Sequence, residues 1–137
     1  MTFVNMLKVY SLSLLVCLGL DMLWLGVVAR AFYQHQLAKL MRPDVQWAPA
    51  LAFYALFVVG VMVFAVAPAL ERASLGRAVW SGALLGLVAY ATYDLTSLAL
   101  VRDFPPVVAV VDMAWGTTIA AIVAAAGYGL GRWIAAP

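Results

Sequence analysis

Gly86-Leu87-Val88-Ala89-Tyr90-Ala91-Thr92-Tyr93-Asp94-Leu95-Thr96-Ser97 is the stretch that decides how this chain folds. It lies inside an apolar run bounded by Arg77 and Arg102. About 24 residues separate those arginines, enough for a helix to cross the hydrocarbon core of a bilayer. Asp94 is the only residue between them that ordinarily carries a charge at neutral pH. A carboxylate at that depth is costly unless a partner, a proton or water meets it. Some other part of the chain must therefore come to Asp94.

The composition agrees with a bilayer setting. Of 137 residues, 67% are hydrophobic and 10% charged, whereas a soluble domain carries roughly a quarter charged residues. Mean hydropathy is +1.04. The net charge of +2, with no basic run and no acidic tail, gives no footprint for nucleic acid. The one cysteine, Cys17, has no partner for an intrachain disulfide and reads as a small apolar packing residue. Leu14-Leu15-Val16-Cys17 has the outline of a lipoprotein cleavage box. Val16 is bulky for that role, and the apolar run continues to Ala29. The expectation is a full span, not a removable leader.

Outward from Asp94, the sequence divides into four apolar runs of about 5–29, 48–70, 78–101 and 107–130. Each is long enough for a helix and about twice the length of a barrel strand. The predicted architecture is all-α: a single domain, a polytopic membrane protein built as a bundle of four transmembrane helices. Short connections at Glu71–Arg77 and Arg102–Pro106 make successive helices antiparallel and put both termini on one face. The first connection, Arg30 to Trp47, is long and polar. Phe32, Leu37, Leu40 and Met41 are spaced for a short helix lying on the interface. Lys8, Arg72, Arg77 and Arg132 fall on the terminal face, and Arg30, Lys39, Arg42 and Arg102 on the other. The positive-inside rule finds almost no asymmetry here. The N-terminal amine tips the count toward termini inside.

Depth brings three acids together. Asp21 precedes the end of its span by about eight residues and Asp94 by about seven. Asp112 follows the start of its span by about five. All three then lie roughly 8–12 Å below the same face at 1.5 Å per residue. Tyr54, about six residues into the second span, reaches the same level. Gly82, Gly86, Tyr90, Asp94 and Ser97 share one helical stripe, and the Gly-xxx-Gly pair invites a neighbouring helix close. Asp94 is thus expected to point into the bundle. Asp21-Met-Leu-Trp24 and Asp112-Met-Ala-Trp115 repeat one pattern on antiparallel helices, a trace of an inverted repeat.

These residues also carry a resemblance. Asp21-Met-Leu-Trp24-Leu-Gly26, Tyr90-Ala-Thr-Tyr93-Asp94-Leu-Thr96-Ser97 and Asp112-Met-Ala-Trp115-Gly116-Thr117 resemble the signature blocks of a bacterial membrane protein family, domain of unknown function 2177. The resemblance spans essentially the whole chain. Ser97 stands where the family more often has asparagine, and Phe104 lies where a tryptophan is usual before the proline. The resemblance implies a four-span, multi-pass protein of the bacterial inner (cytoplasmic) membrane. It carries over no catalytic residue and no cofactor.

The chemistry is therefore read from side chains. Intramembrane acids mark ion, proton or ligand sites more often than not, although protonated aspartates can also simply tie helices together. In the functional reading Asp94 is the central carboxylate and Asp21 and Asp112 its partners. Tyr54, Tyr90, Tyr93 and Thr96 are orienting hydrogen-bond groups. Trp24 and Trp115 are either interfacial belt residues or pocket walls able to hold a cation over their faces. The expected partners are the bilayer and a small polar or cationic ligand, and a bundle this small admits a homodimer. His35 is the only histidine, so zinc and haem pairs lack support. Three function classes stay open: proton-linked binding or transport of a small molecule, a membrane-embedded enzyme on a lipid or apolar substrate, and a non-catalytic accessory subunit.

Overall fold

The computed structural model describes all 137 residues, and it contains helices without strands. Four helices are long and apolar enough to cross a membrane: Phe3–Val28, Trp47–Glu71, Leu75–Leu100 and Pro106–Ile134. In chain order these are the first to fourth spans. A short helix, Arg30–Gln36, comes after the first. Met1, Met6, Leu70, Glu71, Gly131 and Arg132 gather at one end, so both termini and the second connection share a face.

Helix ends obey local chemistry. The Thr2 side chain accepts from the Asn5 amide, and Ser74 accepts from the Arg77 amide, each satisfying an otherwise free donor in the first turn. The Ser74 cap starts the third span at Leu75, three residues before the expected 78. Pro106 occupies the first turn of the fourth span, where its missing N–H is harmless. That span runs to Ile134, past the expected 130, because Gly127, Gly129 and Gly131 stay helical. Gly127 faces Val66 and Ser13, and Gly131 faces Leu70. These two glycines let the terminal ends of the helices approach. Asp103, at φ 63°, makes the left-handed turn of the third connection, a conformation aspartate tolerates better than most residues.

The third and fourth spans make the closest pair. Gly82 lies against Ala120 and Ala124. Gly86 lies against the Gly116 backbone, and Gly116 in turn against the Tyr90 ring. The expected Gly-xxx-Gly approach is present, and its partner surface is Gly116-xxx-Ala120-xxx-Ala124 on the fourth span. The main core joins Val9 and Cys17 of the first span to Val58, Val61, Ala65 and Val66 of the second and Ile119, Ala120, Val123 and Ala124 of the fourth. Large exposed side chains such as Leu15, Leu56, Phe64, Trp80 and Val110 face outward, as a lipid-facing surface requires.

Two widened turns interrupt the α-helical pattern, at Trp24–Val28 in the first span and Met62–Val66 in the second. Each adds a residue to a turn and rotates the rest of its helix, a feature that often sits at functional sites. The first connection differs from expectation. Its helix covers only Arg30–Gln36, and Leu37–Met41 forms a turn with the Leu40 and Met41 amides both bonded to the Leu37 carbonyl. Arg42, preceding Pro43, is disfavoured in a helix. The helix packs against the bundle. Tyr33 and Ala29 are buried with Phe104, Val108 and Ala109, and Phe32 and Leu37 pack on that cluster. The first connection thus folds over the start of the fourth span.

Candidate functional site

Asp21 is 4% exposed on the first span. Tyr54 of the second span donates its hydroxyl to Asp21 Oδ2. Trp115 of the fourth span donates Nε1–H to Asp21 Oδ1 at 2.8 Å. Both carboxylate oxygens therefore have donors, which is the condition for burying such a group cheaply. This corner works as a three-helix clamp.

Asp112 is half-buried on the fourth span. Its Oδ1 accepts from the Tyr33 hydroxyl at 3.0 Å, and that hydroxyl accepts from Trp24 Nε1 at 3.2 Å. Burial is the main force pushing the Tyr33 phenol above its usual value. The bonded Trp24 N–H opposes the shift, and the Asp112 charge adds to it. Tyr33 consequently stays a donor throughout the physiological range. Sequence reasoning missed it, because Tyr33 lies in the polar connection beside Arg30 and His35.

Asp94 is fully buried on the third span, and neither of its oxygens meets an N–H or O–H donor. The acid that neighbours it is Asp112. Two ionised carboxylates offer only acceptors to each other, whereas one shared proton makes a hydrogen bond between them. The pair is complete only when it holds a proton.

Asp112 lines the cavity together with Asp21, and Asp94 does not. Tyr54 and Tyr90 neighbour both Asp21 and Asp112, while Tyr33 and Tyr93 neighbour both Asp112 and Asp94. The fourth span packs against all three of the others. No three His, Cys, Asp or Glu side chains converge closely enough for a metal ion.

A cavity of about 320 Å³ opens beside Asp21 and Asp112. Asp21 and Asp112 contribute its carboxyls, Tyr90 and Tyr93 its phenols, and Phe53 and Leu25 its apolar wall. Leu25, Phe53 and Tyr93 are also exposed on the outside of the bundle, so the mouth faces the lipid side. The volume lies at the small end for ligand pockets.

The remaining expected residues divide. Trp24 and Trp115 do not line this cavity. Their rings stack on each other, centroids 4.5 Å apart and planes 8° from parallel, so each covers one face of the other. Phe53 supplies the aromatic wall instead, edge-on to Tyr90 at 6.4 Å. Thr96 stands outside the site. Its exposed hydroxyl bonds to the carbonyls of Thr92 and Tyr93 in its own helix, the usual outlet for a threonine hydroxyl in lipid. His35 is exposed on the short helix.

Fold and site together define a polytopic α-helical membrane protein with an acidic and aromatic layer inside its bundle. Residues 6–129 match the model of the family described as predicted membrane protein (DUF2177), and the chain belongs to that family. No curated protein and no solved structure matches it.

Proposed function

We propose that this protein binds a small cationic molecule within a bacterial inner membrane, in competition with a proton held by Asp94 and Asp112. One observation carries the reading: Asp112 faces the cavity on one side and the donorless Asp94 carboxyl on the other. A cation in the cavity stabilises ionised Asp112. The proton of the pair then leaves. Phe53 and Tyr90 add ring surface on which a cation can rest. Asp21, held in place by Tyr54 and Trp115, supplies a second carboxyl to the cavity.

Tetramethylammonium is a suitable probe, because its charge does not titrate. Its binding to the purified protein in nanodiscs should tighten as pH rises, by up to about tenfold per unit where one proton is displaced. Asp112→Asn should abolish the interaction. Equal affinity at every pH, or unchanged binding by Asp112→Asn, rejects the proposal.

A further inference from the structure

The acid cavity does not end at its own walls. Phe53 and Ala89 line it and also line a second cavity of about 500 Å³ along the outer side of the second span. That groove is almost wholly apolar, formed by Leu56, Gly60, Val63, Phe64 and Leu85 beyond the shared pair. Gly60 keeps its floor open. A methyl group there would meet only Leu85, at 3.7 Å. From Phe53 to Phe64 the helix rises about 16 Å at 1.5 Å per residue, about half the hydrocarbon thickness of a bilayer. That is about the length of one acyl chain.

We infer that the ligand is a single-chain cationic amphiphile, its head between Asp21 and Asp112 and its chain along the Phe53–Phe64 groove. This rests on the cation-binding function proposed for the same site. Charge complementarity fixes the head: two carboxyls close one end of the groove, so an anionic head is repelled there and a neutral one leaves the carboxyls uncompensated. The groove fixes the tail, since a compact hydrophilic cation leaves it unfilled. The position of the mouth fixes the route. Leu25, Phe53 and Tyr93 lie on the lipid-facing side, so such a molecule enters from the bilayer with its chain already in hydrocarbon. Moving that chain from lipid into the groove gains little free energy, because lipid tails are as apolar as leucine. The chain therefore sets the pose of the head more than its affinity.

The test accordingly reads position. An alkyltrimethylammonium with a photoreactive diazirine at the chain end is irradiated with the full protein in nanodiscs, and labelled residues are mapped by mass spectrometry. Labelling is expected at Val63, Phe64 and Leu85. It should be lost with excess tetramethylammonium and with an alkyl sulfate carrying the same tail. Gly60→Phe, which fills the groove, should also lose the groove label while still binding tetramethylammonium. Val63→Trp serves the same purpose if Gly60→Phe does not fold. Label scattered over the lipid-facing residues of all four spans overturns the inference. So does groove labelling that tetramethylammonium does not displace. If tetramethylammonium binds through Asp112 while the label scatters, only the amphiphile is rejected. If tetramethylammonium shows no dependence on Asp112, both readings fail.

Discussion

Trp24 and Trp115 lie face to face at 4.5 Å, and each serves the aspartate of the other's motif. Trp115 bonds Asp21 directly, whereas Trp24 reaches Asp112 through Tyr33. The two Asp-Met-x-Trp segments are thus cross-paired around their stacked indoles, with one tyrosine inserted on one side only. The faint sequence repeat has a physical counterpart in this exchange. The inserted tyrosine is what makes the two acids unequal. Asp21 is locked between donors, and Asp112 is left with a free side toward the cavity and Asp94.

The inequality gives a stability prediction. Trp115→Phe keeps a ring in the stack but removes a donor from buried Asp21, and stranding a buried polar group costs about 1–3 kcal/mol. Trp24→Phe removes a donor from the Tyr33 oxygen, yet Tyr33 still donates to Asp112. Thermal melting in detergent should place Trp115→Phe clearly below Trp24→Phe. Equal melting points would contradict the clamp at Asp21.

The third and fourth spans offer a second contrast. Gly86→Ala drives a methyl into the Gly116 carbonyl and the Ala120 side chain. Overpacking of this kind typically costs about 1–3 kcal/mol. Gly129→Ala meets nothing within 4 Å. Replacing a helical glycine by alanine gains up to about 1 kcal/mol of helix propensity. Melting should fall for the first variant and hold or rise for the second. A tolerated Gly86→Ala would mean that the two helices do not touch where the stripe places them.

This stripe is legible in the sequence, as are the four spans and the common depth of the acids. Long apolar runs, a four-residue period and a fixed rise per residue are local properties of a chain. Three features are not legible. The stack of Trp24 on Trp115 joins two different helices, so the three-residue spacing of Asp21 and Trp24 within one helix does not locate the indole. Tyr33 belongs to a seven-residue helix, too short for periodicity to reveal which side is buried. The place of Asp112 beside the cavity depends on how four helices pack together, and no single helix encodes that. Thr96 falls outside the site for a simpler reason: a hydroxyl at the right depth still needs the right face, and Thr96 bonds its own helix.

Tyr33 predicts a pH effect with a definite sign. Its phenol is pushed up from the ordinary value of 10.0 by burial, so folding holds the proton more firmly than the unfolded chain does. The associated stability is fully present below about pH 10, the unfolded value, and declines as pH rises from there toward the higher folded value. Tyr33→Phe cannot ionise. Its melting temperature should fall less steeply than the parent's above about pH 10, from a lower starting point because Asp112 and Trp24 lose a shared partner. Identical slopes for parent and variant would remove Tyr33 from the buried network.

The last prediction separates Asp94 from Asp112. Asparagine at 94 keeps the size of the side chain and offers an N–H to Asp112, so the donorless contact becomes a permanent hydrogen bond. The pair then needs no proton. Asp94→Asn should therefore fold as well as the parent, or better. It should bind tetramethylammonium with an affinity that no longer changes across about pH 5 to 9, where buried carboxyls can titrate. Asp112→Asn also satisfies Asp94 with an amide, so it should fold. It removes the charge that faces the cavity, however, and should lose cation binding at every pH. Asp94→Leu offers Asp112 no proton and no donor, and should melt below both. Binding isotherms over that pH range, with infrared spectra of the protonated-carboxyl band, check all three variants. If Asp94→Asn keeps the parent's pH dependence and its carboxyl band, the titrating proton resides elsewhere and the Asp94–Asp112 pair is only a helix contact.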